Sequence, residues 1–132
     1  MPPATISPEL AYPDVRQAVA WLCQAFGFTE RLQIGTHRAQ LVFGEGSLIV
    51  TQLQGATNNS RARDHAIMVC VTDVASHFEQ ARQHGANIIN PPTDYPFGEK
   101  QYTADDLAGH RWIFSQTIAD IDPQSWGGML VE

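Results

Sequence analysis

Two stretches of this 132-residue chain follow one pattern about 59 residues apart, and that internal repeat restricts the fold more than any other feature. The first runs Leu10-Ala-Tyr-Pro-Asp-Val15 and the second Val69-Cys-Val-Thr-Asp-Val74. Each is a short apolar segment that ends in Asp-Val and opens a helical pattern. From Asp14 the apolar residues Val15, Ala18, Val19, Leu22 and Phe26 share one helix face, with Asp14 as N-cap and Gly27 as the stop. From Asp73 the positions Val74, Phe78 and Ala81 repeat that face, and Gly85 ends it.

The segments after each helix also correspond. After Gly27 come Arg31 to Ile34, Arg38 to Phe43, a Gly44-Glu-Gly46 turn and Ser47 to Gln52. After Gly85 come Ala86 to Ile89, a loop from Asn90 to Gly98, Glu99 to Thr103, a turn from Asp105 to Gly109, and His110 to Gln116. Each half therefore reads as β-α-β-β-β. A unit of about 55 residues leaves one sheet face bare and rarely stands alone, so the two must cover each other. The expectation is an α+β fold in which two βαβββ modules form a half-closed mixed sheet around a cleft. Module 1 spans about 4–53, a polar linker 54–63, module 2 about 64–118 and a tail 119–132 that carries Trp126.

Composition narrows the function. The net charge of −6 offers no basic footprint, which sets nucleic acid aside and favours neutral or cationic small molecules. Cys23 and Cys70 lie in apolar runs and read as packed free thiols. No apolar run reaches membrane-spanning length and no secretory leader pattern stands at Met1, so the expected location is cytoplasmic, away from membranes. Phosphate-loop, dinucleotide and nucleophile-elbow patterns are absent from the sequence.

The ordered set of Asp14 to Phe28, His65-Ala-Ile-Met-Val-Cys-Val-Thr-Asp-Val74, Ala81 to Ala86 and Asp106-Leu-Ala-Gly-His-Arg-Trp112 resembles the vicinal oxygen chelate superfamily. That group holds glyoxalase I, extradiol dioxygenases, fosfomycin-modifying enzymes and bleomycin-resistance proteins, and the resemblance covers about residues 5–118. It implies a homodimer, and it leaves two functions open. The metalloenzymes place His and Glu on the first and last strands of each module around a divalent ion. Here His65 is the single candidate at a matching position. Its counterpart is Ile6, the window Leu48 to Gln52 has no ligand, and Ile113 stands where a Glu is expected.

The first reading is a metal-free binder of the bleomycin-resistance type that sequesters an aromatic or cationic amphipathic compound. The alternative is a glyoxalase-type lyase or isomerase using Ni, Zn, Mn or Fe, with Glu9 or Glu99 recruited beside His65. The expected small-molecule contacts are Phe43, His65, Tyr102 and Trp112, with Tyr95 and Phe97 on a bordering loop, because aromatic faces suit a flat guest. His110 is expected to hold its loop, Asp105 and Asp106 to make a turn, and His37, His77 and His84 to face solvent.

Overall fold

The computed structural model describes residues 6–54 and 65–129; apart from Gln54, the expected linker lies outside them. Module 1 consists of β1 (Glu9–Tyr12), α1 (Val15–Phe26), β2 (Thr29–Ile34), β3 (Arg38–Phe43) and β4 (Gly46–Gln52). Module 2 consists of β5 (Ala66–Cys70), α2 (Val74–Gln83), β6 (Asn87–Asp94), β7 (Glu99–Asp105) and β8 (Arg111–Thr117). Both N-caps and the α1 stop fall where the sequence puts them, whereas α2 is capped at His84, one position before the expected Gly85. Asp14 accepts from the Gln17 amide and Asp73 from the Ser76 amide, both at 3.1 Å. Gly27 adopts a φ of 84° so that its N–H returns to the Leu22 carbonyl.

The modules form two four-stranded mixed sheets in the equivalent orders β1-β4-β3-β2 and β5-β8-β7-β6. In each, the first strand runs parallel to the last and the remaining pairs are antiparallel. Strand alternation sends Leu10, Tyr12, Leu41 and Val50 toward the helices in one sheet, and Tyr102, Ala104, Trp112 and Phe114 in the other. The expected α+β class and the two modules are present, and the sheets do not close.

One strand departs from the expectation. The segment from Asn90, read as a loop, belongs to β6, which runs through Pro91 and Pro92 to Asp94. Its pairing with β7 slips between Ile88 and Asn90 and again between Asn90 and Thr93. Because β6 is an edge strand, its outer side needs no donors, and prolines fit there beside bulges.

The modules meet through their helix-side faces. Helices α1 and α2 touch, and Phe26 packs against Trp112 at 5.3 Å and Phe114 at 4.8 Å between ring centroids. A buried carboxylate joins the modules within this core. The Asp106 carboxylate accepts from the Tyr12 hydroxyl at 2.6 Å, the Trp112 indole at 3.0 Å, and the Ala108 and His110 amides at 3.0 Å. Asp106 is thus a turn residue, as expected, and also a buried tie between modules. Burial and the adjacent carboxylate push the Tyr12 hydroxyl well above its usual pKa, so it remains a donor.

His110 supports the same junction. Its Nε2 donates to the Ala11 carbonyl at 2.8 Å, which places the proton there, while Nδ1 is buried without a partner among the described residues. The tail docks on its own module: the Ile118 and Ala119 amides donate to the Gly98 carbonyl, and Trp126 meets Phe97 edge-on at 5.7 Å.

Replacing Asp106 with Ala strands two buried donors, Tyr12 and Trp112, and is expected to cost about 3–5 kcal/mol of unfolding free energy. Urea denaturation measures it; a loss below about 1 kcal/mol would show that Asp106 is not the tie described.

Candidate functional site

A cleft of about 700 Å³ opens between the two modules. One wall is the turn between β3 and β4; the other is β5 and the first turns of α2. Phe28, Phe43 and Trp112 form its aromatic side, with Phe28 tilted against Phe43 and edge-on to Trp112, each at 5.5 Å. The exposed edge of β5 adds Met68 and Cys70.

The polar lining is acidic. Glu45 stands in the hairpin turn, where Gly44 takes a φ of 56°, and Asp73 caps α2. Among the described residues that line the cleft there is no lysine or arginine. The Asp73 carboxylate is held by the Ser76 amide, whereas Glu45 has no ion-pair partner among the described residues.

Sequence reasoning missed Phe28, Glu45, Asp73 and His77 as lining residues, and His77 departs furthest from its expectation. Expected to face solvent, it is instead half-buried, with Nε2 on the Phe26 carbonyl at 2.8 Å and Nδ1 at the Tyr102 hydroxyl at 2.5 Å. Its ring lies 4.2 Å from that of Phe114. The signal was available: Val74, His77, Phe78 and Ala81 follow the i, i+3, i+4, i+7 spacing of a buried face. Desolvation lowers the His77 pKa, with the Phe26 hydrogen bond opposing.

Of the six expected contact residues, the structure brings Phe43 and Trp112 to the cleft. Tyr102 is fully buried behind His77, on the same helix-side face of the sheet as Trp112. Burial pushes its hydroxyl pKa up. Tyr95 and Phe97 stack on each other at 5.3 Å, on the hairpin that receives Trp126. His65 is exposed just before β5, one position out of register with Ala66 and Met68, which face away from the helices.

The metal that the superfamily's enzymes carry can be tested against the same strands. The facing positions on the first and last strands are Glu9 and Ile49 in one sheet and Met68 and Ile113 in the other. Only Glu9 is an oxygen donor, and it pairs with Arg38 at 2.6 Å. Glu99 lies in the other sheet and accepts from Ser115. Among the described residues no three His, Cys, Asp or Glu side chains form a group able to hold a metal ion. The described residues at these strand positions do not supply the three or four donors that a divalent ion takes.

This fold and cleft define a class. Residues 5–114 match the model of the glyoxalase/bleomycin resistance protein/dioxygenase superfamily, and the chain belongs to that superfamily. Among solved structures it is similar to TioX from Micromonospora sp. ML1, at 36% identity and a TM-score of 0.72, over 90% of this chain and 100% of that one. A glyoxalase-related enzyme from Fulvimarina pelagi shares the fold at 18% identity and a TM-score of 0.70, over 85% and 87% of the two chains. A protein of unknown function from Agrobacterium tumefaciens str. C58 does so at 12% identity and 0.73, over 84% and 91%. Curated protein sequences give no significant match. Among the described residues no helix is long and apolar enough to cross a membrane.

The two thiols differ in a measurable way. Cys70 is exposed at the cleft rim, while Cys23 is partly buried and its thiol pKa is pushed up by desolvation and by Glu30. An aromatic disulfide reagent at pH 7.5 is expected to label Cys70 at least about tenfold faster than Cys23. Equal rates, read by peptide mass, would contradict the placement of β5 at the rim.

Proposed function

We propose that this protein binds a flat, aromatic, positively charged small molecule in the cleft between its modules, without a metal, as a sequestering protein of the drug-resistance type. The observation that carries the reading is the lining: three aromatic rings beside two carboxylates, with no lysine or arginine among the described lining residues. Phe28, Phe43 and Trp112 supply stacking area, and Glu45 supplies a charge that no described side chain neutralises. The net charge of −6 adds attraction at long range. The donor set described above supports a site that works by shape and charge.

The reading includes a homodimer. The sheet face of module 1 turned away from the helices carries exposed Leu32 and Ile34, apolar area that a second copy of the chain would remove from water.

Ethidium, a permanent planar cation, and phenanthridine, its neutral ring system, separate the terms. Ethidium is expected to quench tryptophan fluorescence with saturation, and phenanthridine to bind more weakly. The substitution Glu45→Gln should weaken ethidium about three- to fivefold, the worth of one partly exposed charge pair. Absence of ethidium binding, or equal affinity for the two probes, would contradict the reading. Nickel, zinc, manganese and iron(II) added to chelator-stripped protein are expected to show no stoichiometric binding; binding lost in His65→Ala would overturn the metal-free part.

A further inference from the structure

One wall of the cleft takes in every residue from Ile67 to Asp73. A strand seen face-on offers alternate residues only, so an unbroken run means that β5 presents its edge to the cavity. In its sheet β5 has β8 on one side and no strand on the other among the described residues. The Val71 amide donates to the Ser115 carbonyl at 2.9 Å, and the pairing with β8 is unbroken from Ala66 to Cys70. In a parallel ladder, alternate residues of a strand send both backbone groups to the same neighbour. Ile67 and Val69 therefore bond β8 as Val71 does, and the N–H and C=O of Met68 and Cys70 point the other way, toward the cleft.

The outer strands of the two sheets differ in how open they are. Bare rows of N–H and C=O pair with any extended chain unless prolines, lysines or bulges blunt them. Strand β6 carries Pro91 and Pro92 and slips twice, β2 slips between Glu30 and Leu32, and β1 lies between Pro8 and Pro13. Strand β5 has no proline, no lysine and no slip. The plain edge is the one that borders the cavity.

An extended peptide has the spacing to meet it. Met68 and Cys70 stand about 6.6 Å apart along the strand, and three residues of a guest strand span that distance. The guest residue opposite Val69 turns its side chain to the Val69 face, which Ile67 shares with its β8 neighbour Trp112. The rings of Phe28 and Phe43 adjoin Trp112 there. Glu45 and Asp73, with no lysine or arginine among the described lining residues, favour a positive guest.

We propose that the edge of β5 takes up a short, extended peptide as an added strand, with an aromatic side chain against Phe28, Phe43 and Trp112 and positive charge toward Glu45. This names the class of guest, and for the aromatic and charged groups it rests on the reading given under Proposed function; the backbone pairing stands on the strand geometry alone.

The probe is the pentapeptide arginyl-valyl-phenylalanyl-valyl-arginine, acetylated and amidated at its ends and titrated by calorimetry at pH 7.5. In an extended chain the two valine N–H groups share one edge and the phenylalanine N–H points to the other. With the phenylalanine opposite Val69, the valines face Met68 and Cys70. N-methylation of both valines is expected to weaken binding at least about tenfold, the worth of two lost hydrogen bonds, and N-methylation of the phenylalanine by less than about threefold. Amide hydrogen exchange gives a second readout: Met68 and Cys70 exchange quickly in the protein alone and slow at least about tenfold with saturating peptide, while Val69 is protected throughout. Equal losses from the two methylations, or Met68 and Cys70 protected before peptide is added, overturn the added strand. Ethidium binding without peptide binding also overturns it and leaves the cleft reading standing. Peptide binding with the expected pattern and no ethidium binding upholds the strand and contradicts the flat cation, and binding of neither contradicts both.

Discussion

The carboxylate of Asp106 is where two half-size modules become a single core. It draws Tyr12 from the first strand of module 1 and Trp112 from the last strand of module 2 onto one oxygen, and it fixes the β7–β8 turn with the other. A buried acid is tolerated only when its oxygens are fully hydrogen-bonded, and four donors achieve that here. Removing the carboxylate takes the acceptor from the buried Tyr12 hydroxyl and Trp112 indole together, so the tie is strict about geometry. Its strictness positions Trp112, and through Trp112 the rings of Phe28 and Phe43 that give the cleft its aromatic side.

The junction explains why the cleft lies where it does. Packed through their helix sides, the modules place Phe26 at the centre of an aromatic cluster with Trp112, Phe114 and His77. At the β3–β4 turn and the edge of β5 the surfaces part enough to leave the cleft. The site is thus a property of the pair. Neither module contains it, and any force that loosens the junction acts on binding.

Much of the fold was legible because it is written twice. The Asp-Val openings, the glycine stops and the one-sided helix faces gave both N-caps and the succession of elements along the chain, since these depend on residues within a few positions of each other. The site was less legible, because its contacts cross the chain. Tyr102 and Trp112 were both recognised as aromatic strand residues, but alternation puts them on the helix side, and only Trp112 also reaches the cleft. Asp106 reads as a turn aspartate from its neighbours, and nothing local announces a partner 94 positions away at Tyr12. His77 had a local signal in its spacing from Val74 and Ala81, but a histidine among polar helix residues carries a solvent expectation that tertiary packing overrode. The prolines of β6 likewise read as a loop until the edge position of that strand is known.

The central claim is that small molecules enter between the modules rather than onto the open sheet faces. Amide chemical-shift mapping of isotope-labelled protein titrated with ethidium tests it most directly. Shifts concentrated in residues 43–48 and 67–77, with the indole N–H of Trp112 moving in step, are the predicted result. Shifts confined to Leu32, Ile34, Gln101 and Ile113 on the outward faces, with the cleft residues unmoved, would contradict it.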